Sequence, residues 1–144
     1  MFSKACEHGI KAIIYIASQS MQGNRVKINE VSRHTGTPEA FTAKILGKLC
    51  QKQILHSIKG PFGGFEMDNK QIHKTYIADI VKALDGDNLF NGCALGLKTC
   101  NHISPCPMHN NFVKIRTELK EMMENSTVYE FAEGIIAGES ILVR

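Results

Sequence analysis

Three thiols and an imidazole crowd one short stretch of this 144-residue chain: Cys93, Cys100, Cys106 and His109, spaced Cys-x6-Cys-x5-Cys-x2-His. Thiolate sulfur and imidazole nitrogen are soft or borderline ligands, suited to an iron-sulfur cluster or to zinc. Structural zinc favours cysteine pairs separated by only a few residues. The wider gaps here, in a stretch carrying Gly92, Gly96 and Pro105, suit a loop draped around a larger object. An iron-sulfur cluster, 2Fe-2S or 4Fe-4S, is therefore the expected cofactor, and zinc is the alternative. A cluster-free loop with a redox-sensing thiol is a further possibility. Cys6 and Cys50 lie in helical patterns far from the loop and are expected to pack in the core. Five cysteines, an odd number, exclude a framework built only of disulfides. His8, His34, His56 and His73 stand singly and are not ligand candidates.

Catalysis finds no support. The chain has no Gly-x-Ser-x-Gly elbow, no His-Glu-x-x-His helix and no phosphate loop ending in Gly-Lys-Ser/Thr. Its 43% hydrophobic and 22% charged residues describe an ordinary globular chain with one core's worth of apolar side chains. Lys4, Glu7, His8 and Lys11 interrupt the N-terminal apolar pattern, so neither a signal peptide nor a membrane span is expected, and the reading is cytoplasmic. The overall charge of +3 conceals a division: residues 1–78 carry eleven basic and five acidic side chains, residues 79–144 six and nine. A basic front half suits a polyanion.

The elements that must hold these groups can be read in order. From Ser3 to about Met21, Ala5, Gly9, Ala12, Ile13, Ile16 and Ala17 recur at helical spacing, with Ser3 as N-cap. Asn29 is expected to cap a short helix through Val31 to His34, ended by Gly36. Thr37-Pro38-Glu39 then signals a new helix to about Gln51, with Thr37 accepting a first-turn N–H. Two helices joined by a tight turn form a helix-turn-helix, whose second helix can enter a DNA major groove. Phe41, Ile45, Leu46 and Leu49 form its apolar side, leaving Glu39, Ala40, Thr42, Ala43, Lys44 and Lys48 to face outward. Ile54–Ile58 and Phe65–Met67 read as strands around the turn Lys59-Gly60-Pro61-Phe62-Gly63-Gly64, a wing whose glycines allow close approach to a phosphate backbone.

Thr75 to Leu84 reads as one helix closed by Asp85-Gly86, and 87–106 as a long loop. Pro107 opens a helix on which Met108, Phe112, Ile115, Leu119 and Met122 alternate four and three apart, the stripe of a helix-helix seam. A second copy of the chain is the expected partner, although a core stripe looks alike. Thr127-Val128-Tyr129-Glu130 makes a capping box for a last helix. The expected class is mainly α with a small β-wing: a winged helix-turn-helix domain over 1–86, a sensor loop over 87–106, and a dimerisation helix with its tail over 107–144. A non-DNA module docking an enzyme through the seam is the contrasting reading, and salt-dependent DNA binding separates the two.

Three segments carry a family resemblance: Thr37-Pro38-Glu39-Ala40-Phe41 with Ile45-Leu46-x-Lys48-Leu49; Ser57 through Phe65; and Asp79-Ile80-Val81-Lys82-Ala83-Leu84-Asp85-Gly86. Over about residues 2–134 the chain resembles the Rrf-two family of bacterial winged-helix regulators, and its cysteine triplet is similar to that of the cluster-binding IscR and NsrR branches. The resemblance implies a homodimeric transcription factor, usually a repressor, whose affinity for a double-stranded DNA operator depends on an intact cluster. It also implies two competing fourth ligands. Cys106-Pro107-Met108-His109 matches the Cys-x-x-His of the IscR branch, whereas the nitric oxide sensors take an acidic ligand from the partner's first helix, where Glu7 occupies the matching place. The first cysteine gap is one residue longer than either branch usually has, so cluster nuclearity stays open. The candidates for DNA contact on the second helix and wing are Thr37, Glu39, Ala40, Thr42, Ala43, Lys44, Lys48, Lys59, Gly60, Gly63 and Gly64, and the chain departs from the family where Ala40 and Ala43 stand at positions that commonly carry polar base-contacting side chains.

Overall fold

The computed structural model describes residues 1–144, and helix α1 (Lys4–Ser20) forms where the apolar spacing predicts it. Ser3 is its N-cap, the side-chain oxygen accepting the Cys6 N–H at 3.1 Å. Nine residues of α1 are buried, from Cys6 to Ser18, because α2, α3, α5 and α8 all pack around it. Gly9 permits that crowding. A Cβ there would lie 2.2 Å from Leu84 Cδ1 and 3.3 Å from Ile45 Cγ2.

Helices α2 (Ile28–Thr35) and α3 (Glu39–Gln51) form the helix-turn-helix, joined through Gly36 at φ 66°. Two capping expectations are corrected. Asn29 lies inside α2; Glu30 reaches back instead, accepting the Lys27 N–H at 2.7 Å. Thr37 does not cap α3, because it is only 3% exposed and its hydroxyl is hydrogen-bonded to His8 Nδ1 at 2.5 Å. No side chain caps α3; its ladder begins at Pro38, whose carbonyl accepts the Thr42 N–H at 2.9 Å and the Thr42 hydroxyl at 3.0 Å.

Strands β1 (His56–Ile58) and β2 (Gly64–Glu66) are antiparallel, with His56 opposite Glu66, Ser57 opposite Phe65 and Ile58 opposite Gly64. β1 is shorter than its apolar run suggests and β2 lies one residue earlier, since Ile54, Leu55 and Met67 turn into the core. Val26 adds a rung, donating to Phe65 O at 3.1 Å and accepting from Phe65 N at 2.7 Å.

The helix expected over Thr75–Leu84 forms, and a further short helix precedes it. Asp68 caps α4 (Asn69–Lys74), accepting from Gln71 N at 2.7 Å, and Asp79 takes the Tyr76 N–H at 2.8 Å to open α5 (Ile77–Asp85). A helical turn, α6 (Asn88–Asn91), occupies the start of the expected loop, which therefore runs only from Gly92 to Met108. Helix α7 (His109–Asn125) begins two residues past Pro107, and α8 (Val128–Ile136) follows the expected box, Thr127 Oγ1 accepting from Glu130 N at 3.3 Å and Glu130 Oε2 from Thr127 N at 2.8 Å.

The corners between α4 and α5 and between α7 and α8 are stitched together. Ile77 N donates to Ser126 O at 3.0 Å, and Val128 N to Thr75 O at 2.9 Å. Met123, Val128 and Ala132 consequently lie in the same hydrophobic cluster as Cys6, Ile13, Ile16 and Val81. One core thus runs through the segments 1–86 and 107–144. Met123 is 0% exposed, so Met123→Ala is expected to cost about 2–4 kcal/mol. It should lower the midpoint of a single thermal transition followed by circular dichroism, rather than melt the C-terminal helices separately.

Candidate metal centre and nucleic-acid interface

The loop leaving α6 and the first turn of α7 bring the four sulfur and nitrogen candidates into two pairs. Cys93 Sγ lies 3.8 Å from Cys106 Sγ, and Cys100 Sγ lies 3.4 Å from His109 Nδ1. They do not form one cage, for no three His, Cys, Asp or Glu side chains converge as a metal ion requires. Backbone turns place them: Gly96 N donates to Cys93 O and His109 N to Cys106 O, each at 3.0 Å.

Arg116 ties the pairs to α7. It donates to the Gly92 carbonyl through Nη1 and lies 3.6 Å from Cys100 Sγ through Nη2. It was not singled out from the sequence. The available signal was its position seven residues after His109, which puts both on one side of a helix.

The thiols differ in environment. Backbone N–H groups of Leu95 and then Leu97 hold the Cys93 thiol below the ordinary thiol range. Burial, reinforced by Asp85, pushes Cys6 up to about 12, and burial also raises Cys50. Both stay with the core, as expected. Glu7 lies on α1 and pairs with Lys4 Nζ at 2.8 Å, which draws its carboxyl below the usual range; none of the cysteines is its partner. The donor set fits a thiolate-ligated cluster: three soft ligands and an imidazole at the start of a helix, with a guanidinium nearby.

On α3 the exposed side consists of Glu39, Ala40, Ala43, Lys44, Gly47 and Lys48. Thr37 and Thr42 are corrections to the expected reading face. Thr42 is 2% exposed, its hydroxyl occupied by Pro38 O, so neither threonine reaches outward. In the wing, Lys59 and Gly60 are exposed at the turn. Gly63 and Gly64 serve the backbone instead: added Cβ atoms would meet Ile58 O at 2.1 Å and Val26 O at 2.6 Å respectively. Arg25 braces the wing, with Nε 2.9 Å from Glu66 Oε2 and Nη1 3.2 Å from Phe62 O. No spacing rule pointed to Arg25, because Glu66 is 41 residues away.

The α7 stripe divides. Leu119 packs against the core and Phe112 is half-buried, whereas Met108, Ile115 and Met122 remain exposed, Ile115 by 61%. Met123, one position off the stripe, is the buried anchor of the helix.

Comparison with known proteins accords with this architecture. Residues 2–134 match the profile of the Rrf2 family, described as iron-dependent transcriptional regulators. An HTH-type transcriptional regulator named in Aquifex aeolicus (strain VF5) is 25% identical over 130 residues, 89% of this chain and 88% of that protein. CymR, the global cysteine regulator of B. subtilis, superposes with a TM-score of 0.74 at 15% identity, covering 92% of this chain and 96% of its own. IscR from T. potens does so with a TM-score of 0.70 at 13% identity, covering 97% and 91%. The two superpositions establish the fold as that of the winged-helix regulators.

Two outcomes follow from the geometry. Brief alkylation of the reduced, metal-free protein should label Cys93, Cys100 and Cys106 before Cys6 and Cys50, read by peptide mass; equal labelling of Cys6 would contradict its burial. Gly63→Ala should destabilise the fold by about 1–3 kcal/mol in urea titration, since Ile58 O is backbone and cannot swing away.

Proposed function

The chain belongs to the Rrf2 family of transcriptional regulators, and on that premise we propose a homodimeric, cytoplasmic DNA-binding repressor whose operator affinity depends on an iron-sulfur cluster. Members of this family regulate transcription and are not enzymes, and DNA binding is the activity their family implies. No helix here is long and apolar enough to cross a membrane.

The observation that carries the cluster is the convergence of Cys93 with Cys106 and of Cys100 with His109 at the foot of α7. Cys93, Cys100 and Cys106 would hold the cluster. His109, already 3.4 Å from Cys100, is the favoured fourth ligand, and Glu7 from a second copy is the alternative. Bound there, the cluster supplies a centre that nitric oxide, oxygen or iron shortage can destroy. Arg116 offsets the thiolate charge and fastens the loop to α7 through Gly92. The exposed stripe of Met108, Ile115 and Met122 is the surface for a second α7, and dimerisation sets the spacing of two α3 helices along successive major grooves. Loop order thereby becomes coupled to that spacing. The signal can change DNA affinity only by as much as the two loop states differ in binding it. Glu39, Ala40, Ala43, Lys44 and Lys48 face the groove, and Lys59 a phosphate.

One observation favours a second reading. Cys93 and Cys106 are close enough to form a disulfide with a small movement of the loop. In that case two thiols lose two protons and two electrons, and a peroxide accepts them to become water.

Anaerobic purification with iron and sulfide analysis separates these readings. The cluster reading expects a coloured protein, lost in Cys100→Ala, with operator affinity falling at least tenfold in that variant and after nitric oxide treatment of the parent. A colourless protein with stoichiometric zinc, or one that gains a Cys93–Cys106 disulfide with unchanged metal content, would refute it.

A further inference from the structure

Phe62 is 89% exposed, more than any other large apolar side chain of the chain. An aromatic ring left in water forfeits the free energy its burial would yield, and a surface that covered it at the wing tip would recover that free energy. The backbone beneath it is held firmly. Gly60 adopts φ 101°, Gly63 N donates to Gly60 O at 2.9 Å, and Arg25 Nη1 grips the Phe62 carbonyl at 3.2 Å while its Nε holds Glu66. The ring is thus carried on a tight, cross-braced turn. Beside it, Lys59 supplies a cation and Ile58 a second partly exposed apolar side chain.

A basic shoulder with an aromatic tip matches the chemistry of a DNA groove: phosphate at the edge, base-pair stack at the floor. Resting on the DNA-binding reading, we propose that Phe62 is a wedge that enters a base step of the minor groove, partly unstacks it and bends the duplex. Apolar wedges of this kind kink DNA toward the major groove. Pyrimidine–purine steps unstack most easily, so Phe62 selects such a step at the wing without a hydrogen bond to any base. It is a specificity determinant of a kind that the charged residues of α3 and Lys59 cannot supply.

The test uses the full-length protein and duplexes that it recovers from a random-sequence library, each carrying 2-aminopurine beside a pyrimidine–purine step. Parent protein should raise the fluorescence at one step per half-site and retard circularly permuted fragments in a position-dependent way. Phe62→Ala should abolish both signals and weaken binding about tenfold, with an unchanged salt slope because no phosphate contact is lost. Phe62→Leu should retain part of both signals, and Lys59→Ala should reduce the salt slope by about one while keeping the fluorescence. A Phe62→Ala variant with parental affinity, fluorescence and bending would overturn the wedge and leave the ring for a protein partner. A parent that retains no duplex above background would overturn the DNA-binding reading itself, and the wedge with it.

Discussion

Everything in this fold leans on the burial of α1. Its middle is enclosed on all sides, by the helix-turn-helix on one flank and by α5 and α8 on the others. Such a position demands small or apolar side chains nearly all round, and α1 has them in Gly9, Ala12, Ile13, Ile16 and Ala17. Its N-terminus is also tied down, with the Ser3 N–H donating to Asp85 Oδ2 at 3.0 Å and its hydroxyl bonded to the same carboxylate. Asp85-Gly86 therefore joins the end of α5 to the start of α1 as well as closing a helix. The candidate DNA-binding face and the candidate sensor share this one buried support.

The two functional regions are built by opposite means. The wing depends on backbone economy: no room for a Cβ at Gly63 or Gly64, and a rung from Val26. The cysteine loop is shaped by its own turns, with Asn101 Oδ1 accepting from Ile103 N and Ser104 N, and Arg116 alone carries a cation from α7 to one of its carbonyls and a sulfur. The contact made by that cation responds to changes in local charge; backbone crowding in the wing does not. Lys82 adds to the same side of the molecule, 3.6 Å from Glu124 and over the Phe90 ring, linking α5, α6 and α7.

Helix existence was legible in the sequence wherever apolar periodicity was long, as in α1, α3 and α7. Boundaries were less so. Side-chain caps compete at adjacent positions, and Glu30 prevailed over Asn29, while Asp68 capped a short helix that no long apolar run announced. The liganding loop could be recognised from residue types, because soft donors seldom cluster without cause. Its two-pair geometry could not, since it depends on turns within a segment lacking periodicity. Thr37 and Thr42 show the limit from the other side: a threonine before a helix reads as its cap and one on the helix as solvent-facing, yet both are satisfied inward by His8 and Pro38. Tertiary partners such as Arg25 with Glu66 leave no trace in local spacing at all.

The stitched corner at Thr75–Ile77 and Ser126–Val128 has a mechanical meaning. It clamps the far end of α7, and Met123 embeds the last turn in the core, while the near end carries His109 and the loop. A rod of 17 residues, about 25 Å long, fixed at one end, can pivot but not slide. Movement at the cysteine end therefore becomes a swing that is largest at Met108, about half as large near Ile115 and almost nothing at Met123. The helix is a lever whose fulcrum belongs to the rigid core, and its most displaced part is the Met108 end of the exposed apolar stripe.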